Sequence, residues 1–218
     1  ESVEIFKPYI AEIEENQNVK ISLIDFLNFE LNQSVKTVFL NYCKENNIEA
    51  KEVNYSPGLI IFKIKNASKV VLDSISDFEA LESITFMPKY HVEIDSVESD
   101  KAAEVKLPTE GIEYPIVGVL DSGVSKNSYL APWLLEEKFS SYPDNLIDPM
   151  HGSCVSSVII YGDQLQNKNW TGNTGCKIFD ATVFPDSKQE TIDEDELVEN
   201  IREAIKKNNH IKIWNLSL

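Results

Sequence analysis

The apolar and polar positions divide the chain into two regions with different patterns. In residues 19–94, short runs of apolar or alternating residues predict strands, and two stretches repeat apolar residues every three or four positions, as helices with one buried face do. The elements follow in the order strand, helix, strand, strand, helix, strand. This order predicts an α+β domain of the ferredoxin-like, split βαβ type over residues 1–94.

Single residues suggest where these elements begin and end. Ser34 stands where it could cap the start of the first helix. The predicted buried face of that helix consists of Val35, Val38, Phe39, Tyr42 and Cys43. A second helix is predicted over residues 68–78, and Pro88 places part of the last strand, TFMPKYHVEI, at a sheet edge or bulge.

Residues 95–113 have neither a helical nor a strand-like apolar period. They contain six acids, two lysines, a proline and a glycine. We interpret this segment as an acidic linker between two domains.

From residue 114 onwards the apolar runs have the character of strands that are buried on both faces and alternate with helices. The three predicted strands are IVGVLD, KIFDATVF and IKIWNLSL. One predicted helix begins near His151, and another covers about residues 193–207, with Thr191 or Asp193 as its cap and acids in its first turn. Residues 114–218 are therefore predicted to form an α/β domain around a parallel sheet.

Charge and composition narrow the function classes. The 218 residues are 42% hydrophobic, which is typical of a globular protein, and 36 acids against 20 Lys and Arg give a net charge of −16. Such a charge opposes contact with phosphate backbones and anionic membranes, so we expect neither nucleic acid nor a membrane as a partner.

The remaining features of the sequence argue against several kinds of site and segment. Cys43, Cys154 and Cys176 have no metal-ligand spacing, so we expect buried thiols, no bound metal and no cofactor. The sequence has no apolar run of membrane-spanning length and no secretory signal at its start. Because it begins at Glu1, an upstream segment could have been removed, and the localisation is left open.

Asp121 ends the first strand of the second region, in IVGVLDSG. Catalytic groups in open α/β sheets gather at the carboxyl ends of strands, so this acid is a candidate for chemistry. The alternative is that Asp121 caps the following turn, with Gly123 supplying a positive φ.

His151 follows thirty residues later, at the start of a predicted helix. A carboxylate that accepts from one ring nitrogen would fix the tautomer of a histidine acting as general base, and Gly152 would allow a close approach. The alternative is a purely structural histidine, which we favour for His91 and His210. The predicted buried face of this helix consists of Cys154, Val155, Val158 and Ile159.

The segments IVGVLDSGV, HGSCVSSVI and IKIWNLSL, in this order, resemble three successive motifs of the subtilisin-like serine proteases. The resemblance covers about residues 114–218. It implies that Asp121 orients the catalytic histidine, that His151 is the general base, and that Ser217 and Leu218 begin the segment that binds an extended protein or peptide substrate.

The resemblance also gives the first domain an expected role. Zymogens of this family carry a propeptide of split βαβ form, which packs on its own catalytic domain and lays its C-terminal tail through the active-site cleft. Here that tail would be about residues 89–95.

The chain departs from the family pattern in one important respect. The Gly-Thr-Ser block that presents the nucleophile is missing, and Ser122, Ser153 and Cys154 are poor substitutes. Ser153 also stands where the family usually has threonine. We therefore expect an inactive N-terminal portion of a serine endopeptidase zymogen, with an incomplete sheet whose open face could cause self-association.

Two other function classes remain open. The first is a non-catalytic, protease-like binding module. The second is a phosphate- or magnesium-handling domain built on Asp121, which lacks the phosphate loop and the further acids it would need. The acids of residues 193–196 could suggest calcium, but solvation of a helix end explains them better.

Overall fold

The computed structural model describes residues 7–56, 58–92, 104–168 and 175–217. The protein is of mixed α/β class and divides into two compact units, Glu1–Pro88 and Lys89–Leu218. Among the described residues, none of the helices combines the length and the hydrophobicity that a membrane span requires.

The first unit is a five-stranded sheet with two helices. Its elements are β1 (Tyr9–Ile10), β2 (Gln17–Leu23), α1 (Phe29–Glu45), β3 (Ala50–Val53), β4 (Ile60–Ala67), α2 (Lys69–Ser76) and β5 (Leu81–Phe86). The strand order is β1-β5-β2-β4-β3. All neighbours are antiparallel except β1 and β5. The four longer strands and the two helices thus occur in the predicted sequence order.

The core of this unit lies where α1 and α2 meet the sheet. Phe39 of α1 packs on Phe62 of β4, with ring centroids 4.7 Å apart. The predicted start of α1 was wrong, because Asn28 is the N-cap and accepts from the backbone N–H of Leu31. Ser34 lies inside the helix, where its hydroxyl donates to the carbonyl oxygen of Glu30.

The second unit is built around a parallel sheet. Its strands are β6 (Lys89–Tyr90), β7 (Ile116–Asp121), β8 (Phe139–Ser140), β9 (Lys177–Thr182), β10 (Ile192–Asp193) and β11 (Ile213–Leu216). Its helices are α3 (Met150–Leu165) and α4 (Glu194–Lys207), with a short 3₁₀ turn at Asp144–Leu146. The main sheet has the order β11-β7-β9-β8, and all its pairs are parallel.

Both faces of the central strand β7 are covered, as the apolar runs predicted, whereas Ile213 and Leu216 of the edge strand β11 are 53% and 43% exposed. On β7, Val119 belongs to the hydrophobic cluster that includes Ile160 of α3, and Leu120 belongs to the cluster that includes Leu197 of α4. Gly118 lies under the indole of Trp214, since a Cβ at this position would come within 2.3 Å of that ring. The central strand therefore places its last residue, Asp121, between two packed layers.

Two sequence predictions about α3 and the cysteines need correction. Its buried residues are Gly152, Ser156, Ile160 and Tyr161, whereas Val158 is 58% exposed and Cys154 is exposed. The helix approaches the sheet closely through small residues, so the apolar pattern was wrong for Cys154 and Val158, whereas Val155 and Ile159 are partly buried and pack against the core. Only Cys43 of the three cysteines is fully buried.

The segment that precedes β7 is attached to α3. Lys106 donates from Nζ to Oδ1 of Asp163 (2.6 Å) and to the carbonyl oxygen of Ile160 (3.1 Å). The indole N–H of Trp133 donates to the carbonyl oxygen of Lys106. Residues 104–113 of the predicted linker thus belong to the second unit, and residues 95–103 lie outside the described parts of the chain.

Candidate active site

Asp121 and His151 are in direct contact. Asp121 is the last residue of β7, and His151 lies in the first turn of α3. The Nδ1 atom of His151 lies 2.8 Å from Oδ1 and 2.9 Å from Oδ2 of Asp121. The acid side chain is 1% exposed and the imidazole 21%. The pair therefore combines a buried carboxylate with a ring that solvent can still reach.

The backbone around Asp121 holds the carboxylate in place. The N–H of Ser122 donates to Oδ1 at 2.7 Å, and the Asp121 carbonyl accepts from the N–H of Val183 at 2.8 Å. Because Nδ1 of His151 faces the carboxylate, the tautomer with a proton on Nδ1 is favoured. That tautomer leaves Nε2 as the acceptor of the ring, which is the state that a general base needs.

Two glycines make the close approach of α3 possible. Gly123 has φ +104°, and a Cβ there would meet the side chain of Ile147 at 2.8 Å. A Cβ on Gly152 would lie 2.2 Å from the carbonyl oxygen of Gly123 and 3.1 Å from Cβ of Asp121. Residue 152 must therefore lack a side chain for His151 to reach Asp121 in this geometry.

The serines that neighbour Asp121 and His151 in the sequence are used in structural hydrogen bonds. Ser122 donates from Oγ to the carbonyl oxygen of Asp148 at 2.7 Å. Ser153 donates to the carbonyl oxygen of Pro149 and accepts from the N–H of Ser125 at 2.7 Å. These bonds support the expectation that neither serine is a nucleophile.

A pocket of about 340 Å³ opens beside His151. Its lining includes Ser122, Asp148, Met150 and the loop 185–188. His91 and Val92 also line it, although the sequence favoured a structural role for His91. The resemblance placed residues 89–95 in the active-site cleft as a propeptide tail, but no motif around His91 assigned its side chain to the site.

The segment that carries His91 is fixed by backbone contacts within the second unit. Strand β6 pairs with β10 in antiparallel fashion, with Tyr90 opposite Ile192. The N–H of Val92 donates to Oγ of Ser187 at 2.9 Å. Residues 89–92 therefore run past the pocket, and this described part of the chain ends beside it.

The predicted substrate-binding residues can be placed only in part. Ser217 follows β11, and its hydroxyl donates to Oδ1 of Asn215 at 3.1 Å. The preceding residue, Leu216, pairs with Leu120, so Ser217 lies at the same carboxyl edge of the sheet as Asp121. Leu218 lies outside the described residues.

Asp180 is an acid of this region that the sequence reading did not single out. It lies on β9, and its side chain accepts from the hydroxyl of Thr182 at 3.3 Å. Burial raises the pKa of Asp180 to about 6, although the N–H of Val124 and the charge of Lys138 oppose the shift. Asp121 adds a smaller effect in the raising direction.

This pKa leads to a prediction for stability. The folded protein holds the Asp180 proton more tightly than the unfolded chain, so this contribution is complete below pH 4 and is lost as the pH rises through 6. When the pH is raised from 5 to 7.5, we expect the free energy of unfolding of the parent to fall by about 1 kcal/mol more than that of Asp180→Asn. Urea denaturation of both proteins at the two pH values measures the difference, and parallel pH profiles would contradict it.

One cluster of acids lies at the start of α4. Single carboxylate oxygens of Asp193, Asp195 and Glu196 lie within 4.8 Å of one another. Negative charge at a helix N-terminus is favoured by the helix dipole, which explains the cluster without an ion. We assign no metal to it.

Comparison with known families identifies the region that contains this site. Residues 113–218 match the family model described as the Subtilase family. A comparison with curated proteins gave no significant match. The matched residues include Asp121, His151 and the whole main sheet of the second unit.

Proposed function

Because residues 113–218 belong to the subtilase family, we propose that the protein is a serine endopeptidase that hydrolyses peptide bonds through an Asp, His, Ser triad. Asp121 is the orienting acid and His151 the general base. The observation that carries this proposal is the 2.8 Å distance between Nδ1 of His151 and the buried carboxylate of Asp121.

The roles of the two residues follow from their surroundings. Nε2 of His151 takes the proton of the attacking serine and later gives it to the leaving amine. The imidazolium formed in between lies at the N-terminus of α3, where the helix dipole disfavours positive charge. The buried carboxylate of Asp121 offsets this effect, since both its oxygens lie close to Nδ1.

The proposal requires a serine that these 218 residues do not present. The hydroxyls of Ser122 and Ser153 donate to backbone carbonyls, and no Gly-Thr-Ser block occurs in the sequence. We propose that sequence beyond this chain supplies the nucleophile and that the chain alone is inactive. Its substrate would be a protein or peptide bound in extended form along the edge where Ser217 lies.

We also propose that the first unit is a propeptide of ferredoxin-like form. Its four longer strands have the order β5-β2-β4-β3, and the two helices connect β2 to β3 and β4 to β5, as a split βαβ unit requires. The position of residues 89–92 beside the pocket that His151 lines supports a zymogen in which this segment blocks the site.

The test is covalent labelling of the full-length protein with a fluorophosphonate, which reacts with an activated serine. We expect labelling after the first unit has been removed by proteolysis and none in the 218-residue chain. A full-length protein that stays unlabelled after this treatment would indicate the alternative function, a protease-like module that binds peptides without cleaving them.

A further inference from the structure

Residues 89–92 are held through their backbone beside the pocket that His151 lines. Strand β6 pairs with β10 in antiparallel fashion. Two residues after this pair, the N–H of Val92 donates to Oγ of Ser187 at 2.9 Å. The segment is thus held at two points, by the edge of a strand and by one side-chain hydroxyl.

The side chains of this segment alternate in their surroundings. Tyr90 and Val92 pack against the hydrophobic cluster that includes Leu197 of α4, whereas His91 between them is exposed. A peptide that binds by adding a strand shows the same division, since main-chain hydrogen bonds hold it and alternate side chains enter pockets. Residues 89–92 therefore occupy this edge in the way that a bound extended peptide would.

The loop that carries Ser187 is held by contacts of its own. The N–H of Asp186 donates to the carbonyl oxygen of Leu146 at 2.8 Å, and the side chain of Asp186 accepts from the N–H of Lys188 at 3.0 Å. The residues on both sides of Ser187 are thus fixed by bonds that do not involve residues 89–92. The hydroxyl is accordingly part of the pocket wall, in place for any peptide that takes the position of this segment.

The contact at Ser187 recognises backbone rather than a side chain. Every residue except proline carries the N–H that the hydroxyl accepts. This contact therefore distinguishes peptides by whether an amide hydrogen is present at this position. The side chain of Val92 packs against the cluster at the same position, which favours an apolar residue there.

We propose that Ser187 is a substrate-binding residue of the peptidase site. Its hydroxyl accepts the backbone N–H of the substrate residue that takes the place of Val92, so the preferred substrate has an apolar residue other than proline at that position. This role rests on the proposed function, because it treats residues 89–92 as occupants of the place that a substrate takes. Binding of a peptide can nevertheless be measured without any cleavage.

The experiment removes the hydrogen bond from either side. The probe is a fluorescent peptide with the sequence of residues 88–94, PKYHVEI, and its N-methylated form lacks only the amide hydrogen of the valine. Fluorescence anisotropy gives both dissociation constants for the full-length protein, after the first unit and residues 89–92 have been removed by proteolysis. For the parent, we expect N-methylation to weaken binding about threefold to tenfold, which is the usual net effect of one hydrogen bond.

The variants assign this loss to Ser187. Ser187→Ala should bind the unmodified peptide about threefold to tenfold more weakly than the parent, and N-methylation should then change its affinity by less than about twofold. Ser187→Thr keeps the hydroxyl and should retain the parental discrimination. The matched control is Ser157→Ala on α3, whose hydroxyl donates to the carbonyl oxygen of Ser153 away from the pocket lining, and both constants should stay parental.

Two results overturn the proposal. The first is a parent that binds both peptides equally well, or neither of them, and this comparison decides even if Ser187→Ala does not fold. The second is an equal loss on N-methylation in the parent and in a folded Ser187→Ala. Effects of the methyl group on the peptide itself are the same for each protein, so the four constants isolate the contact.

In an active full-length protein, Ser187→Ala should raise KM for a chromogenic peptide about threefold to tenfold with little change in kcat, because the contact is made equally in the bound substrate and the transition state. If the discrimination appears in the binding experiment while no peptide is cleaved, the proposed peptidase function fails and the peptide-binding role of Ser187 stands. If peptides are cleaved without the discrimination, the peptidase function stands and the role of Ser187 is wrong.

Discussion

Asp121→Asn in the full-length protein is expected to lower kcat by about 10⁴-fold with a much smaller change in KM. An asparagine amide facing Nδ1 of His151 would donate to it, and the ring proton would move to Nε2. The nitrogen that has to accept the serine proton would then be blocked. The hydrolysis rate of a chromogenic peptide, measured after removal of the first unit, gives the result.

The same experiment can show that the two residues act as one unit. His151→Ala is expected to cost at least as much as Asp121→Asn, and the double variant should be no slower than His151→Ala alone. His210→Ala is the matched control, because this exposed histidine at the end of α4 should leave the rate unchanged. Additive losses in the double variant, or a rate for Asp121→Asn within tenfold of the parent, would contradict the proposed pair.

The parts of the second unit that could be predicted from sequence are those with a strong local signal. The run IVGVLD is apolar on both faces, and the structure forms β7 over the same six residues. Because parallel strands end at the same edge of a sheet, an acid at the end of IVGVLD and a histidine at the start of the next helix could be expected to meet. In the structure the two side chains are in hydrogen-bonding contact, although thirty residues separate them in the sequence.

The parts that could not be predicted depend on tertiary contacts. In KIFDATVF, Asp180 is a single acid in an apolar strand, and the burial that raises its pKa arises only when the sheet is packed. The resemblance placed residues 89–95 in the cleft, but the pairing of β6 with the two-residue strand β10, which brings His91 to the pocket, has no sequence signature. In both cases the contacts come from residues that are distant in the chain.

Errors within helices have a different cause. The apolar period of α3 correctly included Val155 and Ile159, which pack against the core. It also included the exposed Cys154 and Val158, and it missed Gly152 and Ser156, which carry little hydrophobic signal. Close packing against a backbone selects small residues, so a hydrophobicity pattern underestimates the face that matters most. The position of Gly152 is the clearest example.

Gly152→Ala is expected to lower the free energy of unfolding by about 2 kcal/mol or more, since a methyl group there would lie 2.2 Å from the carbonyl oxygen of Gly123. That contact is with backbone, so α3 as a whole must move away from the turn. Gly162→Ala on the same helix is the matched control: its Cβ would meet nothing closer than 3.7 Å, and the gain in helix propensity should stabilise the protein by about 0.5 to 1 kcal/mol. Urea denaturation of the 218-residue chain measures both variants.

The displacement should also reach the candidate site. Since Gly152 directly follows His151, a shift of the helix start would lengthen the contact between Nδ1 and the carboxylate of Asp121, and the ring N–H proton of His151 should exchange faster in Gly152→Ala but not in Gly162→Ala. Equal stabilities for the two variants would mean that the helix can yield at little cost. In that case the Asp121–His151 distance would not depend on the absence of a side chain at residue 152.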